Sequence, residues 1–216
     1  MQIVWHGHSC FTLKNSKTTV ITDPYSSEIG LKLPKLTANI VTCSHNHPGH
    51  NNFKELNGDF LLFDCPGEYE AKEVAITGVA SWHNPKDEKD RGPNTIFSFT
   101  IDGLNICHLG DLGHVLTAEQ NDEIGDVDIL LVPVGGVSTL NTKKVSELID
   151  KIDPRIVIPM HYKMPSLKFE LGSLEDFIKE LGVPVAKRET TLKIEKKDLP
   201  KDDEDLQLVV LEAILA

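Results

Sequence analysis

Three imidazoles fall within six residues of this chain, in Ser44-His45-Asn46-His47-Pro48-Gly49-His50. Neutral imidazole is the commonest metal-binding side chain. An extended backbone points His45 and His47 to the same side, because they are two residues apart. The stretch is therefore a candidate metal site, the alternative being a polar loop that happens to be rich in histidine. The other histidines strengthen the metal reading. His83 ends the apolar run that starts at Val74, His161 ends the run that starts at Arg155, and His108 follows Leu104-Asn105-Ile106-Cys107 and leads into Leu109-Gly110-Asp111. Four strand ends that converged on one rim would bring several His and one Asp together. A transition metal held there would acidify water and polarise a carbonyl or phosphoryl oxygen, which is the chemistry of hydrolysis.

The surrounding elements must then be strands that deliver these loops. Residues 38–43, apolar or small and partly β-branched, read as a buried strand before the His loop. The loop would leave its C-terminal end, where α/β folds usually place ligands. Asn51-Asn52-Phe53 reads as helix-start chemistry. Residues 2–23 read as three short strands ending at Asp23-Pro24, and 96–107 as a hairpin about Asp102-Gly103. Thr117 caps one helix, Val145, Leu148 and Ile149 form the apolar stripe of a second, and Ser173 and Gly182 bracket a third. Strands dominate the first half, then alternate with helices. The charge run 196–205 reads as solvated loop between short strands of the tail.

The order and wording of these motifs resemble the metallo-β-lactamase superfamily. Trp5-His6-Gly7-His8-Ser9-Cys10-Phe11, Thr22-Asp23-Pro24, Gly67-Glu68-Tyr69-Glu70, Arg91-Gly92-Pro93-Asn94-Thr95, Gly110-Asp111-Leu112-Gly113-His114, Pro133-Val134-Gly135-Gly136 and Pro159-Met160-His161-Tyr162 are similar to the short UlaG-like, single-domain metal-dependent hydrolases. The resemblance implies an α/β fold, the four-layer αβ/βα sandwich, spanning residues 1–216 as one domain. It places one metal on His45, His47 and His83 with Asp111 bridging, and a second on His50, His161 and Asp111. Zn is the implied ion, with Mn or another divalent transition metal as substitutes, and one or two ions bound. Asp23 would lie beneath the metal loop and orient it; without the resemblance it is a turn-starting residue before Pro. His8 and His114 match none of the pattern's ligands. They join Asp111 as catalytic candidates, to donate to substrate or to orient ligands, the other reading being structural histidines. Arg91, in the charged loop 84–93, is a candidate substrate contact. One departure stands out: the pattern's Asp ligand of the second metal is replaced by Gly49, which carries no ligand atom. The expectation is a weakened or absent second site. The implied activity is hydrolysis of a small phosphodiester, lactone or ester, the alternative being a non-catalytic descendant that binds a ligand or metal.

Composition bounds the rest. The chain has 216 residues, 40% of them hydrophobic, enough for a sizeable core. Its formal net charge of −11 disfavours nucleic acid as a partner, since phosphate contacts need Lys and Arg. It leaves a phosphorylated small molecule open, because a bound metal inverts the local field. Cys10, Cys43, Cys65 and Cys107 show no CxxC spacing and read as buried free thiols of a reducing cytosol. No basic leader or long apolar run is present, so a cytoplasmic protein without membrane contact is expected. The oligomeric state, homo-oligomer or monomer, is left open.

Overall fold

The computed structural model describes residues 1–83, 92–201 and 204–216. Arg91 and the neighbouring positions 84–90 lie outside them. The first sheet has the order β13-β1-β2-β3-β4-β5. Its strands are β1 (Gln2–Trp5), β2 (Phe11–Lys14), β3 (Thr19–Thr22), β4 (Ile40–Thr42), β5 (Leu61–Phe63) and, from far along the chain, β13 (Thr191–Lys193). The second sheet runs β12-β14-β11-β10-β9-β8-β7-β6. It is built from β6 (Gly67–Ala71), β7 (Val74–Trp82), β8 (Pro93–Ile101), β9 (Leu104–His108), β10 (Ile129–Pro133), β11 (Ile156–Met160), β12 (Val185–Glu189) and β14 (Gln207–Leu211). The hairpin β8–β9 turns at Asp102 (φ 52°) and Gly103 (φ 76°), the left-handed pair that suits a two-residue connection.

The two sheets share one apolar core. Ile3, Trp5, Leu13, Val20 and Ile40 of the first meet Phe97, Phe99, Ile106 and Leu130 of the second. Strand alternation then sends Ile21 and Val41 to the opposite face of the first sheet. There they pack with Tyr25, Ile29, Leu31, Cys43 and Leu56. Three helices accompany the second sheet: α1 (Ala118–Ile124), α2 (Thr142–Ile152) and α3 (Leu174–Leu181). Their apolar stripes and caps follow the sequence closely. Thr117 forms a capping box with Gln120, Val145, Leu148 and Ile149 are buried, and Gly182 closes α3 at φ 70°. β10 and β11 are buried at every position, as parallel strands covered on both faces should be.

Two expectations are corrected. Asn51-Asn52-Phe53 does not start an α-helix; only a 3-10 turn, Phe53–Glu55, follows, and the Asn52 side chain caps nothing. The two mixed sheets and the three helices nonetheless form the αβ/βα sandwich. The tail forms the short strands read from its sequence, β14 inserting parallel between β11 and β12 while β13 pairs with β1 in the other sheet. Cys10, Cys43 and Cys107 are buried free thiols, but Cys65 is exposed. No helix among the described residues is long and apolar enough to cross a membrane.

Candidate metal centre

Five strand ends, one more than the sequence reading counted, meet at one rim between the two sheets. The loops after β1 and β4 bring His8 and the His45–His50 stretch from the first sheet. Those after β7, β9 and β11 bring His83, Asp111 and His161 from the second. Asp111 Oδ2 is the hub. The Nε2 atoms of His161, His83, His50 and His45 lie 3.1, 3.2, 3.3 and 4.0 Å from it, all of them buried. Ligand-bearing atoms within 4.8 Å of one another form three overlapping groups: His45-His47-His83, His45-His50-Asp111 and His8-His50-His161.

The outward nitrogens fix how the imidazoles point. Asp23 is fully buried at the end of β3; its Oδ1 accepts from the Ser44 N–H (2.7 Å) and its Oδ2 accepts from the Ser44 hydroxyl (2.6 Å). His50 Nδ1 stands 2.8 Å from the same Asp23 Oδ2. With its proton given to Asp23, Ser44 Oγ is left to accept from His45 Nδ1 at 2.9 Å. Both rings thus donate from Nδ1 and turn Nε2 toward Asp111, the carboxylate–histidine arrangement typical of metal ligands. Asp23 thus lies beneath the loop and is hydrogen-bonded to both Ser44 and His50. Ser44, which the sequence reading passed over, joins it; its signal is a hydroxyl directly between strand and first histidine.

A second support was also missed. Asn94 at the start of β8 accepts from the Asp111 N–H at 2.9 Å and donates to Ser81 Oγ and the Leu109 carbonyl. Gly110 makes the approach feasible. Its φ is +57°, and a Cβ there would stand 2.3 Å from Asn94 Oδ1 and 2.6 Å from Ser44 Cβ. His108 is buried but turned away, its Nε2 2.9 Å from the Ser9 carbonyl and its Nδ1 accepting from the Gly110 N–H.

Three non-glycine residues of the site sit in the left-handed region: Asp23 (φ 41°), His8 (φ 52°) and His161 (φ 52°). Such conformations cost on the order of 1–3 kcal/mol each and persist only where the surroundings impose them. The His8 carbonyl accepts from both the Trp5 indole N–H (3.0 Å) and the His161 N–H (3.0 Å), which holds two of the three in place.

Electrostatics match the geometry. Burial opposes charge on His50, yet Asp111 on one nitrogen and Asp23 on the other push it up to about 10. Burial and the neighbouring His50 press His45 down to about 2. Burial, then His161 and His50, hold His8 neutral well below the ordinary imidazole value. Burial also opposes ionised Asp111, but His161 and His50 keep its carboxyl well below the usual range. Meanwhile His45 Nε2, Asp111 Oδ1 and the Nδ1 atoms of His8, His83 and His161 are buried without a hydrogen-bond partner. Orphaned buried polar atoms are costly. Imidazoles converging on one buried carboxylate are a donor set for a divalent transition metal, which would take the place of the His50 proton beside Asp111.

His114 is not brought to the cluster. Its Nε2 accepts from the Trp82 N–H at 3.1 Å and its Nδ1 lies 2.9 Å from the Val115 carbonyl, so it braces the strand end that carries His83. Gly49 is buried and is not among the positive-φ glycines. The cluster opens into a cleft of about 460 Å³ whose lining includes Glu28, Ile29, Ser138 and Phe169. A larger groove, about 950 Å³, lies at the opposite end of β1, around Gln2 and Lys193, away from these histidines.

The beta-lactamase superfamily domain model matches residues 2–161, from β1 through the last of the clustered histidines. A UPF0173 protein of Pyrococcus abyssi is 30% identical, with 84% of this chain and 90% of the relative aligned. A metal-dependent hydrolase of Carboxydothermus hydrogenoformans is 24% identical, over 86% of this chain and 95% of its own. Among solved structures, a candidate Zn-dependent hydrolase of the metallo-beta-lactamase superfamily from Thermotoga maritima superposes with a TM-score of 0.81. It is 39% identical and covers 99% of both chains.

Proposed function

The chain belongs to the beta-lactamase superfamily, and from that premise we propose that it is a metal-dependent hydrolase of a small, uncharged ester or lactone. The observation that carries the reading is the buried carboxylate of Asp111, ringed by four imidazole Nε2 atoms, two of which, on His50 and His45, are oriented from behind by Asp23 and Ser44. His45, His47 and His83 would hold one ion, with Asp111 shared and His50 and His161 on its far side. Zn suits imidazole donors better than Mn does. When bound, the metal supplies Lewis acidity, which acidifies water and polarises the substrate oxygen.

The chain's own residues do the remaining work. Asp23 and Ser44 keep His50 and His45 as Nε2 donors, so that no reorganisation is needed when substrate enters. Asp111 Oδ1, buried and without a partner, is the atom that orients the attacking water and takes its proton. Ile29 and Phe169 exclude bulk water from the cleft, and the Ser138 hydroxyl is the neutral donor for the substrate's polar end. An uncharged substrate is favoured over a phosphodiester because the described residues lining the cleft include Glu28 and neither Lys nor Arg. Turnover of aryl esters, lactones and bis-aryl phosphodiesters by the metal-loaded protein tests the reading. Esters or lactones should lead; a preference for phosphodiesters would overturn the substrate class, and no turnover of any would overturn the hydrolase.

A further inference from the structure

Gly49 stands where the superfamily pattern has a carboxylate ligand, and the space beside it is not empty. A Cβ placed on Gly49 would stand 2.6 Å from His8 Nε2 and 3.1 Å from His8 Cδ2. The His8 ring therefore fills the volume that a side chain at position 49 would need. The same ring is buried, and its ligand atom lies within 4.8 Å of those of His50 and His161. Its centroid lies 4.3 Å from that of His161 and 4.8 Å from that of His50. Its Nδ1 is buried without a partner. The left-handed backbone that aims it inward is pinned by Trp5 and by the His161 N–H, so the ring's place is imposed by the fold.

The geometry points to His8 as a ligand of a second metal ion, completing with His50, His161 and Asp111 the site that Gly49 leaves short of an oxygen. This rests on the reading of the cluster as a metal centre. Gly49 and His8 then form one exchange: the ligand moves from the loop after β4 to the loop after β1, and the absence of a Cβ at position 49 is what admits it. The exchange replaces an anion by a neutral imidazole. The second site becomes rich in nitrogen, which favours Zn or Co over Mn. It also becomes less negative, so its ion is held more weakly than the same ion would be beside a carboxylate.

Cobalt titration of the metal-free protein, followed by visible absorption and checked by elemental analysis, tests the assignment without reference to activity. His8→Asn is the informative variant, because Asn accepts a positive φ and its amide is a poor ligand. Wild type is expected to take up two ions per chain. His8→Asn should keep the first and bind the second at least about 100-fold more weakly, beyond the range usual for losing a mere supporting residue. His8→Asn combined with Gly49→Asp should regain the second ion, the carboxylate entering the vacated space. Thermal melts establish that each variant folds. Should His8→Asn not fold, Gly49→Asp alone carries the test, since it must displace the ring and alter the spectrum of the second ion. Unchanged uptake of two ions by His8→Asn, an unaltered second-ion spectrum in Gly49→Asp, or a single ion in wild type would overturn the assignment. Two ions bound without turnover of any ester would sink the hydrolase reading and leave this one standing. Ester turnover with a single ion would do the reverse.

Discussion

Two imidazoles of the rim, His50 and His45, present Nε2 because another residue has settled what Nδ1 does. Asp23 does this for His50 directly and for His45 through Ser44. Asp23→Asn keeps the shape but loses one anionic acceptor, so Ser44 and His50 must compete for what remains. Metal affinity should fall about 10–100-fold with the fold intact, measurable by competition with a chromophoric chelator; unchanged affinity would show that tautomer control is not limiting. His114→Ala sits at the other extreme. Both its ring nitrogens face backbone outside the cluster, so metal content should stay the same and turnover should change by no more than a few fold. The clustered histidines of the His45–His50 stretch were legible as a candidate metal site from residue type and spacing alone. His8 was not, because its importance depends on a left-handed φ and on the missing Cβ of a residue distant in sequence. Neither quantity is visible in a string of letters.

At the scale of elements, the site is a set of strand ends held in register by their loops. Gly110 is the tightest of these joints. Gly110→Ala would need a strained φ and would drive its Cβ into Asn94 and Ser44. It should destabilise the fold by more than about 1 kcal/mol and detach Asp111 from its support; denaturant titration together with metal content would read both effects. Trp5→Phe keeps the buried ring but removes the indole donor to the His8 carbonyl. The expected result is weaker binding of the second cobalt ion with the first unaffected, and equal loss at both sites would contradict it. The strands and the caps of α1 to α3 were readable because alternation, Thr117, Ser173 and Gly182 act locally. The turn after Asn52 misled because good capping residues there have no amphipathic run to cap. The tail's short strands were readable as well, but not where β13 and β14 pair, because pairing partners far away in sequence leave no local mark.

For the whole molecule, the core between the sheets is large and independent of the rim, from Ile3 and Trp5 through Phe97, Phe99 and Leu130. The metal-free chain should therefore remain folded, unlike small domains whose folding energy comes from the ion. A ligand at about 100 times its Kd adds about 2.7 kcal/mol, and for a chain of this size each kcal/mol moves Tm by about 2–4 °C. Chelation should accordingly lower Tm by about 5–10 °C and leave one cooperative transition, as calorimetry would show. The central claim, that Asp111 and its ring of imidazoles form a metal centre that hydrolyses uncharged substrates, has a direct measurement. Metal-free protein is titrated with Zn while hydrolysis of an aryl ester and a lactone is followed, beside His83→Ala treated in the same way. Turnover should be absent without metal, rise with the first equivalent of Zn and stay absent in His83→Ala. Equal turnover by metal-free protein, or by His83→Ala, would contradict the claim.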